Sequence, residues 1–321
     1  MTDDRSTLAA RVEVLATERI SPSFVRVTLG GPGLEDLGAA GHDTRFKLVL
    51  PGPTQALPES GPSLEEMYLA WMSMPDDTRS PMRTYTIREV LDAPRRLVVD
   101  LVVHESGPKD PVGPAAAWAL AVRPGDELCV VAPREGGVAE YGGQEFAPGD
   151  HTDLLLVGDE TALPAIAGIL RDAPGHMTGH AFLEVPHADD VQALPTPSGV
   201  TVTWHARSAS DRAVPVGHQV VNAVRKHLGH APVEDHTNLP PLRTDMDVEI
   251  WETPRHSSAG EDLEVDEPSA IPRTLADTYV WVAGESALVK SLRRTVVTEM
   301  GLPRHQVAFM GYWRRGVAMK S

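Results

Sequence analysis

Four groups of residues in this 321-residue chain have the types and spacing to do chemistry. The first is Arg83-Thr84-Tyr85-Thr86. Read as a strand, it places Arg83 and Tyr85 on one face. There a guanidinium can fork onto a phosphate, a ring can stack on a planar heterocycle, and a Thr86 hydroxyl or backbone N–H can reach a ring nitrogen. An ordinary strand with its arginine lying along the sheet would read the same way. The second group is His104 followed by Gly113-Pro114-Ala115-Ala116-Ala117-Trp118. Small residues at a helix start let backbone N–H groups approach a pyrophosphate, whose charge the helix dipole favours. A plain helix start with Trp118 in the core is the alternative.

The third group, Gly158-Asp159-Glu160-Thr161-Ala162-Leu163-Pro164, joins an apolar run to a helical one. Such strand-to-helix turns are where nucleotides bind in parallel sheets, yet this one lacks G-x-G-x-x-G and sets two acids where a phosphate would arrive. An acid-capped helix start explains it equally well. The fourth comprises Ala283-Gly284-Glu285-Ser286, a second such turn with Ser286 available as a cap, and Gly311-Tyr312-Trp313-Arg314-Arg315-Gly316. Two rings and two cations together suit an aromatic, anionic ligand, or else a salt-bridged chain end. Thirteen histidines include no H-E-x-x-H, and no G-x-S-x-G occurs, so neither a protein metal site nor a serine hydrolase is expected.

The elements that must position these groups fall into two patterns. Residues 11–29 form two β-branched runs around Ser21-Pro22-Ser23, as in a hairpin. Further strands are expected at Phe46–Leu50, Arg83–Glu89, Leu97–His104 and Glu127–Val131, with one helix at Pro114–Val122. Together they imply an antiparallel barrel over residues 1–148. Beyond Pro148-Gly149-Asp150 the runs lose their alternation, as buried parallel strands do. Strands at Asp153–Gly158, His180–Val185, Val200–His205 and Tyr279–Ala283 are expected to interleave with helices at Ala162–Arg171, Val220–Leu228 and Ala287–Met300. That is a doubly wound α/β domain over 149–321. Residues 229–273 interrupt it with eleven Asp/Glu against three Arg. Met246–Glu252 is expected to be one strand, and His256–Pro268, acidic and without aromatics, to be mobile.

Composition narrows the partners. A net charge of −16 argues against nucleic acid and against an anionic membrane surface. No segment has the roughly 20 apolar residues of a membrane span, and the first residues lack a signal-peptide core. One cysteine, Cys129, allows no internal disulfide, which suits a reducing, cytoplasmic setting.

In this order, the segments RFKLVLP (45–51), MRTYTIRE (82–89), VDLVVHESGPKDPVGPAAAWA (99–119), GDELCVVAPR (125–134), LLLVGDETALPAIAGIL (154–170), YVWVAGESALVKSLRR (279–294) and GYWRRG (311–316) resemble the siderophore-interacting protein family. These are FAD-containing ferric-siderophore reductases with a ferredoxin-reductase-like layout. The resemblance implies an N-terminal FAD-binding barrel and a C-terminal α/β domain that receives NADPH or NADH. Arg83 would then hold the FAD phosphate, and Tyr85 and Thr86 would border the isoalloxazine. His104, Gly113, Pro114, Ala115 and Ala116 would line the pyrophosphate and adenosine side, with Trp118 behind them. Asp159, Glu160, Thr161 and Ala162 would line the nicotinamide-facing cleft. Lys47, Arg314 and Arg315, with Lys320, would form the basic pocket for a ferric siderophore. The flavin would carry the chemistry, with no catalytic acid or base and with iron as substrate rather than resident metal. Residues 229–273 exceed what the family core requires, and little chain follows GYWRRG, which favours NADPH or NADH over ferredoxin as donor. A flavin or ferredoxin-type reductase with another acceptor, and a non-catalytic siderophore-binding module, are the competing readings.

Overall fold

In the computed structural model, residues 6–39, 41–52, 54, 56–58, 64–103, 113–209, 214–238, 250–254, 256–257 and 275–317 are described. The chain divides into two compact units, Met1–Gln144 and Glu145–Met319.

In the first unit, β1 (Thr7–Ser21) and β2 (Phe24–Gly30) form the expected hairpin, with Ser21 paired to Phe24 across Pro22-Ser23. There follow β3 (Arg45–Val49), α1 (Leu64–Ser73), β4 (Met82–Thr86), β5 (Glu89–Leu91), β6 (Arg96–Val102), α2 (Pro114–Ala121), β7 (Glu127–Pro133) and α3 (Val138–Tyr141). The sheet order is β4-β3-β7-β1-β2-β6-β5 and every pairing is antiparallel. Edge strand β4 also approaches β6 near the opposite edge, so the sheet curls into a half-barrel. Alternate residues point inward, as the period of two requires. Val12, Val14, Val27, Leu29, Phe46 and Leu48 are among those that build the core into which α2 lays Ala115, Ala116 and Ala119.

The outer face has its own small core, where Val49, Cys129 and Val131 meet Met67 and Trp71 of α1. Burial raises the Cys129 thiol pKa. Helix α1 has no counterpart among the elements expected from the sequence. Its apolar residues run almost unbroken from Met67 to Met72, yet only Met67 and Trp71, four apart, turn inward, while Tyr68, Leu69 and Met72 stay exposed.

The second unit contains β8 (Asp153–Gly158), α4 (Leu163–Asp172), β9 (Thr178–Val185), β10 (Gly199–Ala206), α5 (His218–His227), β11 (Trp251–Thr253), β12 (His256–Ser257), β13 (Thr278–Glu285), α6 (Ser286–Arg293) and β14 (Val307–Trp313). Its sheet runs β10-β9-β8-β13-β14-β11-β12. The first five strands are parallel, and β11 and β12 add on antiparallel at the edge. From β8 the chain winds outward to β10, then crosses back to β13, so the β8–β13 boundary is the topological switch point of a doubly wound sheet.

Two elements differ from expectation. Helix α6 stops at Arg293 and the chain continues in wider π-type turns through Glu299. The strand expected at Met246–Glu252 is β11, shifted towards Thr253 because its partner is Phe309–Met310 of β14; residues 246–249 lie outside the described residues. Of the segment expected to be mobile, His256–Ser257 form β12, and residues 258–268 lie outside the described residues.

Candidate functional site

In the first unit, β3 and β4 pair Phe46 with Tyr85, Lys47 with Thr84, and Leu48 with Arg83. Directly paired residues share a face. Phe46 and Leu48 belong to the inner core, so Arg83 and Tyr85 stand on the inner face, while Lys47 and Thr84 stand on the outer one. Arg83 is half-buried and its Nη1 donates to the Met82 carbonyl at 2.8 Å. Burial lowers the guanidinium pKa, with Tyr85 acting in the opposite sense. Tyr85 packs on the core, and burial pushes its phenol up to about 12. Thr86 is buried. Lys47 donates to Thr84 Oγ1 at 2.6 Å, and burial, then Arg45, lowers its pKa.

Helix α2 packs on the same core, with Ala115 and Ala116 in the inner cluster against which Tyr85 packs. Gly113 is the N-cap of α2, in extended backbone, with no acid in the first turn and, among the described residues, no heavy atom within 4 Å of where a Cβ would stand. Among the described residues no side chain accepts from its first N–H groups, the positive end of the helix. Trp118 is half-buried against the core, and His104 lies outside the described residues.

The carboxyl edge of the second sheet is built the opposite way. Asp159, Glu160 and Ala162 are fully buried, and Thr161 is the one member of that turn with a part-exposed side chain. The Asp159 carboxylate accepts four hydrogen bonds. Oδ1 takes Thr161 N–H at 2.8 Å and Thr161 Oγ1 at 2.5 Å, and Oδ2 takes Glu285 N–H at 2.7 Å and Trp313 Nε1–H at 2.8 Å. One side chain thus ties the ends of β8, β13 and β14. Burial first, then neighbouring Glu160, pushes Asp159 up to about 7 against the pull of the Thr161 and Trp313 donors. Gly284 is required beside it, because its φ is +138° and a Cβ would lie 2.6 Å from Asp159 Oδ2.

The other acids on this edge are equally committed. Glu160 and Arg207 make a two-pronged pair at 2.8 Å per bond, and Arg207 also donates to Glu184 at 3.1 Å. Glu184 accepts Gly217 N–H at 2.7 Å at the start of α5; burial raises its pKa, and the Gly217 and Arg207 contacts lower it. Glu285 caps α6 by accepting Ala287 N–H at 2.5 Å and Leu288 N–H at 3.3 Å, and its other oxygen takes Arg315 N–H at 3.3 Å. Two helix starts on this edge, those of α5 and α6, are therefore already served by protein carboxylates, and Asp159 closes the turn that precedes α4. Arg314 and Arg315 follow β14 and are exposed, and Lys320 lies outside the described residues.

Residues 13–137 match the family model of the siderophore-interacting FAD-binding domain, and residues 151–316, over half of the chain, match that of the siderophore-interacting protein. The chain belongs to the siderophore-interacting protein family. The NADPH-dependent ferric-chelate reductase of Escherichia coli K12 is 27% identical over 302 residues, covering 94% of this siderophore-interacting protein and 91% of that one. Among solved structures, a siderophore utilization protein from T. fusca superposes with TM-score 0.67 at 27% identity, covering 98% of this chain and 96% of its own. The siderophore-interacting protein SipS from Aeromonas hydrophila does so with TM-score 0.61 at 26% identity, covering 97% and 100%.

In kind, the inner face of the first unit fits FAD. It offers a half-buried cation, an aromatic ring two residues on, and a helix start that no side chain among the described residues caps. Two residues central to this siderophore-interacting protein escaped sequence reasoning, Glu184 and Arg207. The only signal was an acid closing the apolar run of β9, and nothing local to Arg207 points to partners 23 and 47 residues away.

Proposed function

We propose that this protein is a flavin-dependent reductase of ferric siderophores, taking electrons from NADPH or NADH and releasing iron as Fe(II). The observation that carries the reading is the tandem of family matches, an FAD-binding domain at 13–137 followed by a siderophore-interacting domain at 151–316. The Escherichia coli relative named as an NADPH-dependent ferric-chelate reductase supports donor and acceptor alike. FAD when bound accepts a hydride and passes on single electrons, which matches a two-electron donor to one-electron iron. The chain's own residues bind and orient. Arg83 and the N–H groups at Gly113 to Ala116 hold the phosphates, and Tyr85 and Thr86 border the ring. His104 and Trp118 complete the adenosine side. On the second unit Thr161 is the side chain of its turn available to the donor, because Asp159, Glu160 and Ala162 are buried. Lys47 on the first unit, and Arg314 and Arg315 on the second, are the cations that an anionic chelate needs on a chain of net −16. Reduction weakens hard-oxygen chelation and frees the metal.

The test is the visible spectrum of the purified protein with FAD, before and after anaerobic NADPH, followed by addition of a ferric siderophore, a quinone or free flavin. Bleaching by NADPH and reoxidation chiefly by the ferric chelate are expected. Preference for the quinone or free flavin would assign a different reductase. No flavin absorbance after reconstitution would leave a siderophore-binding module.

A further inference from the structure

The two strand-to-helix turns of the second unit converge on one target, the segment that follows β14. Trp313 Nε1–H donates to Asp159 Oδ2 at 2.8 Å, and the Trp313 carbonyl accepts from Ser286 Oγ at 2.9 Å. Arg315 N–H donates to Glu285 Oε1 at 3.3 Å. The pairing of β13 with β14 slips at this point, from Gly284 opposite Gly311 to Glu285 opposite Trp313, so Tyr312 is skipped as in a bulge. Bulges re-aim the side chains next to them. The backbone then turns, with Val317 N–H on the Arg314 carbonyl at 3.2 Å and Gly316 left-handed at φ 74°. Arg314 and Arg315 are exposed on that turn.

We infer that Asp159, with Ser286 and Glu285, is a positioning residue that clamps Trp313 and so presents the Arg314–Arg315 cation pair in one fixed place to an anionic ferric chelate. The inference rests on the siderophore-reductase reading above. It reassigns both turns from nucleotide phosphate to substrate charge. Asp159 is fully buried and acts on substrate only through Trp313 and the backbone. A fixed cation pair loses less freedom on binding than one on a loose chain end, which is where the gain in affinity arises.

The experiment uses FAD-loaded full-length protein carrying Trp313→Phe or Asp159→Asn, each alone and combined with Arg314→Ala and Arg315→Ala. Phe keeps an aromatic ring and removes the donor; Asn keeps the shape and replaces one of the two acceptor oxygens with a donor. KM and kcat are measured with an anionic ferric tricatecholate and a neutral ferric trihydroxamate, and amide hydrogen exchange is followed over residues 312–317. Each single variant should raise the tricatecholate KM by about fivefold to tenfold, less than the loss of a direct hydrogen bond to a charged group because Trp313 and Asp159 act on the chelate only through the arginines, with kcat within about twofold. It should add nothing once both arginines are gone. Exchange over 312–317 should accelerate in both variants. Equal KM increases for the two chelates, or a KM rise that persists without the arginines, would overturn the inference, as would unchanged exchange. If Asp159→Asn does not fold, Trp313→Phe decides alone. If the unaltered protein reduces neither chelate, the functional reading falls, and the exchange measurement still decides whether the clamp exists.

Discussion

Helix starts in the two units meet negative charge in opposite ways. At α2 the N-cap is Gly113, the first turn holds no acid, and no side chain among the described residues accepts from its first N–H groups. At the carboxyl edge of the second sheet, Glu184 serves α5, Glu285 serves α6, and Asp159 closes the turn before α4. The physical chemistry of the two filled starts, α5 and α6, and of the one at α2 is identical, since each helix exposes N–H groups and a positive dipole end. The difference is whether the protein provides the anion or leaves it to a ligand. An open start is a binding site in waiting, and a filled one is a structural joint. A strand-to-helix turn in a doubly wound sheet is therefore evidence of a nucleotide-phosphate site only after its own carboxylates have been accounted for.

The comparison breaks most easily at Arg207. Its removal leaves Glu160 and Glu184 buried without their counter-charge, and Arg207→Ala should cost about 3–5 kcal/mol in urea unfolding, as expected when one partner of a buried ionic group is deleted. Adding Glu160→Gln and Glu184→Gln should recover much of that loss. A cost below about 1 kcal/mol would place the acids in contact with water, where such pairs contribute little.

Next in size is a pH effect at Asp159. Its folded pKa is raised from the ordinary 3.8 to about 7, mainly by burial. The folded state therefore holds this proton more tightly than the unfolded chain. The group's contribution to stability is full below about pH 4 and is lost as pH rises through about 7. Relative to Asp159→Asn, the unaltered protein should lose unfolding free energy between pH 4 and 8. A difference that does not vary with pH would mean that the four donors keep Asp159 ionised throughout.

In the first unit, Arg83→Ala should raise the FAD dissociation constant by about tenfold to hundredfold, the scale of a hydrogen bond to a charged group. Fluorescence of released flavin reads this directly. An unchanged constant would leave Arg83 as a strand residue only. The finest test transplants the second unit's device into the first. Gly113 has extended backbone with room for a side chain among the described residues, so Gly113→Asp should stabilise the α2 start by a few tenths of a kcal/mol, about 0.3. The same change should weaken FAD by about threefold to tenfold through like-charge repulsion. The opposed signs are the diagnostic. Gain in both stability and affinity would exclude the α2 start as a phosphate site.

Much of this architecture was legible because it is local. The period of two that places Arg83 and Tyr85 on one face is a property of three consecutive residues, and the apolar run at Asp153–Gly158 identifies a buried strand unaided. Glycines and prolines marked both strand-to-helix turns. What the acids of those turns do was not legible, because Asp159 is decided by Glu285 and Trp313, 126 and 154 residues further on. Helix α1 was missed for a related reason. Its inward residues are picked out by Val49, Cys129 and Val131 on distant strands rather than by any period within its own sequence.

The short strand β11 has a consequence of another kind. It pairs Trp251 and Glu252 with Met310 and Phe309, the Ile250 carbonyl accepts Gly311 N–H at 2.8 Å, and Glu252 meets Arg293 at 2.7 Å. Without it, β14 would present the unpaired edge of an apolar strand, VAFMGYW, to any other chain with a free strand. Edges of that sort recruit partners and precipitate. β11 occupies the edge, and the acid-rich sequence around it adds like-charge repulsion between neighbouring copies. β11 thus keeps the β14 edge from zipping to another copy.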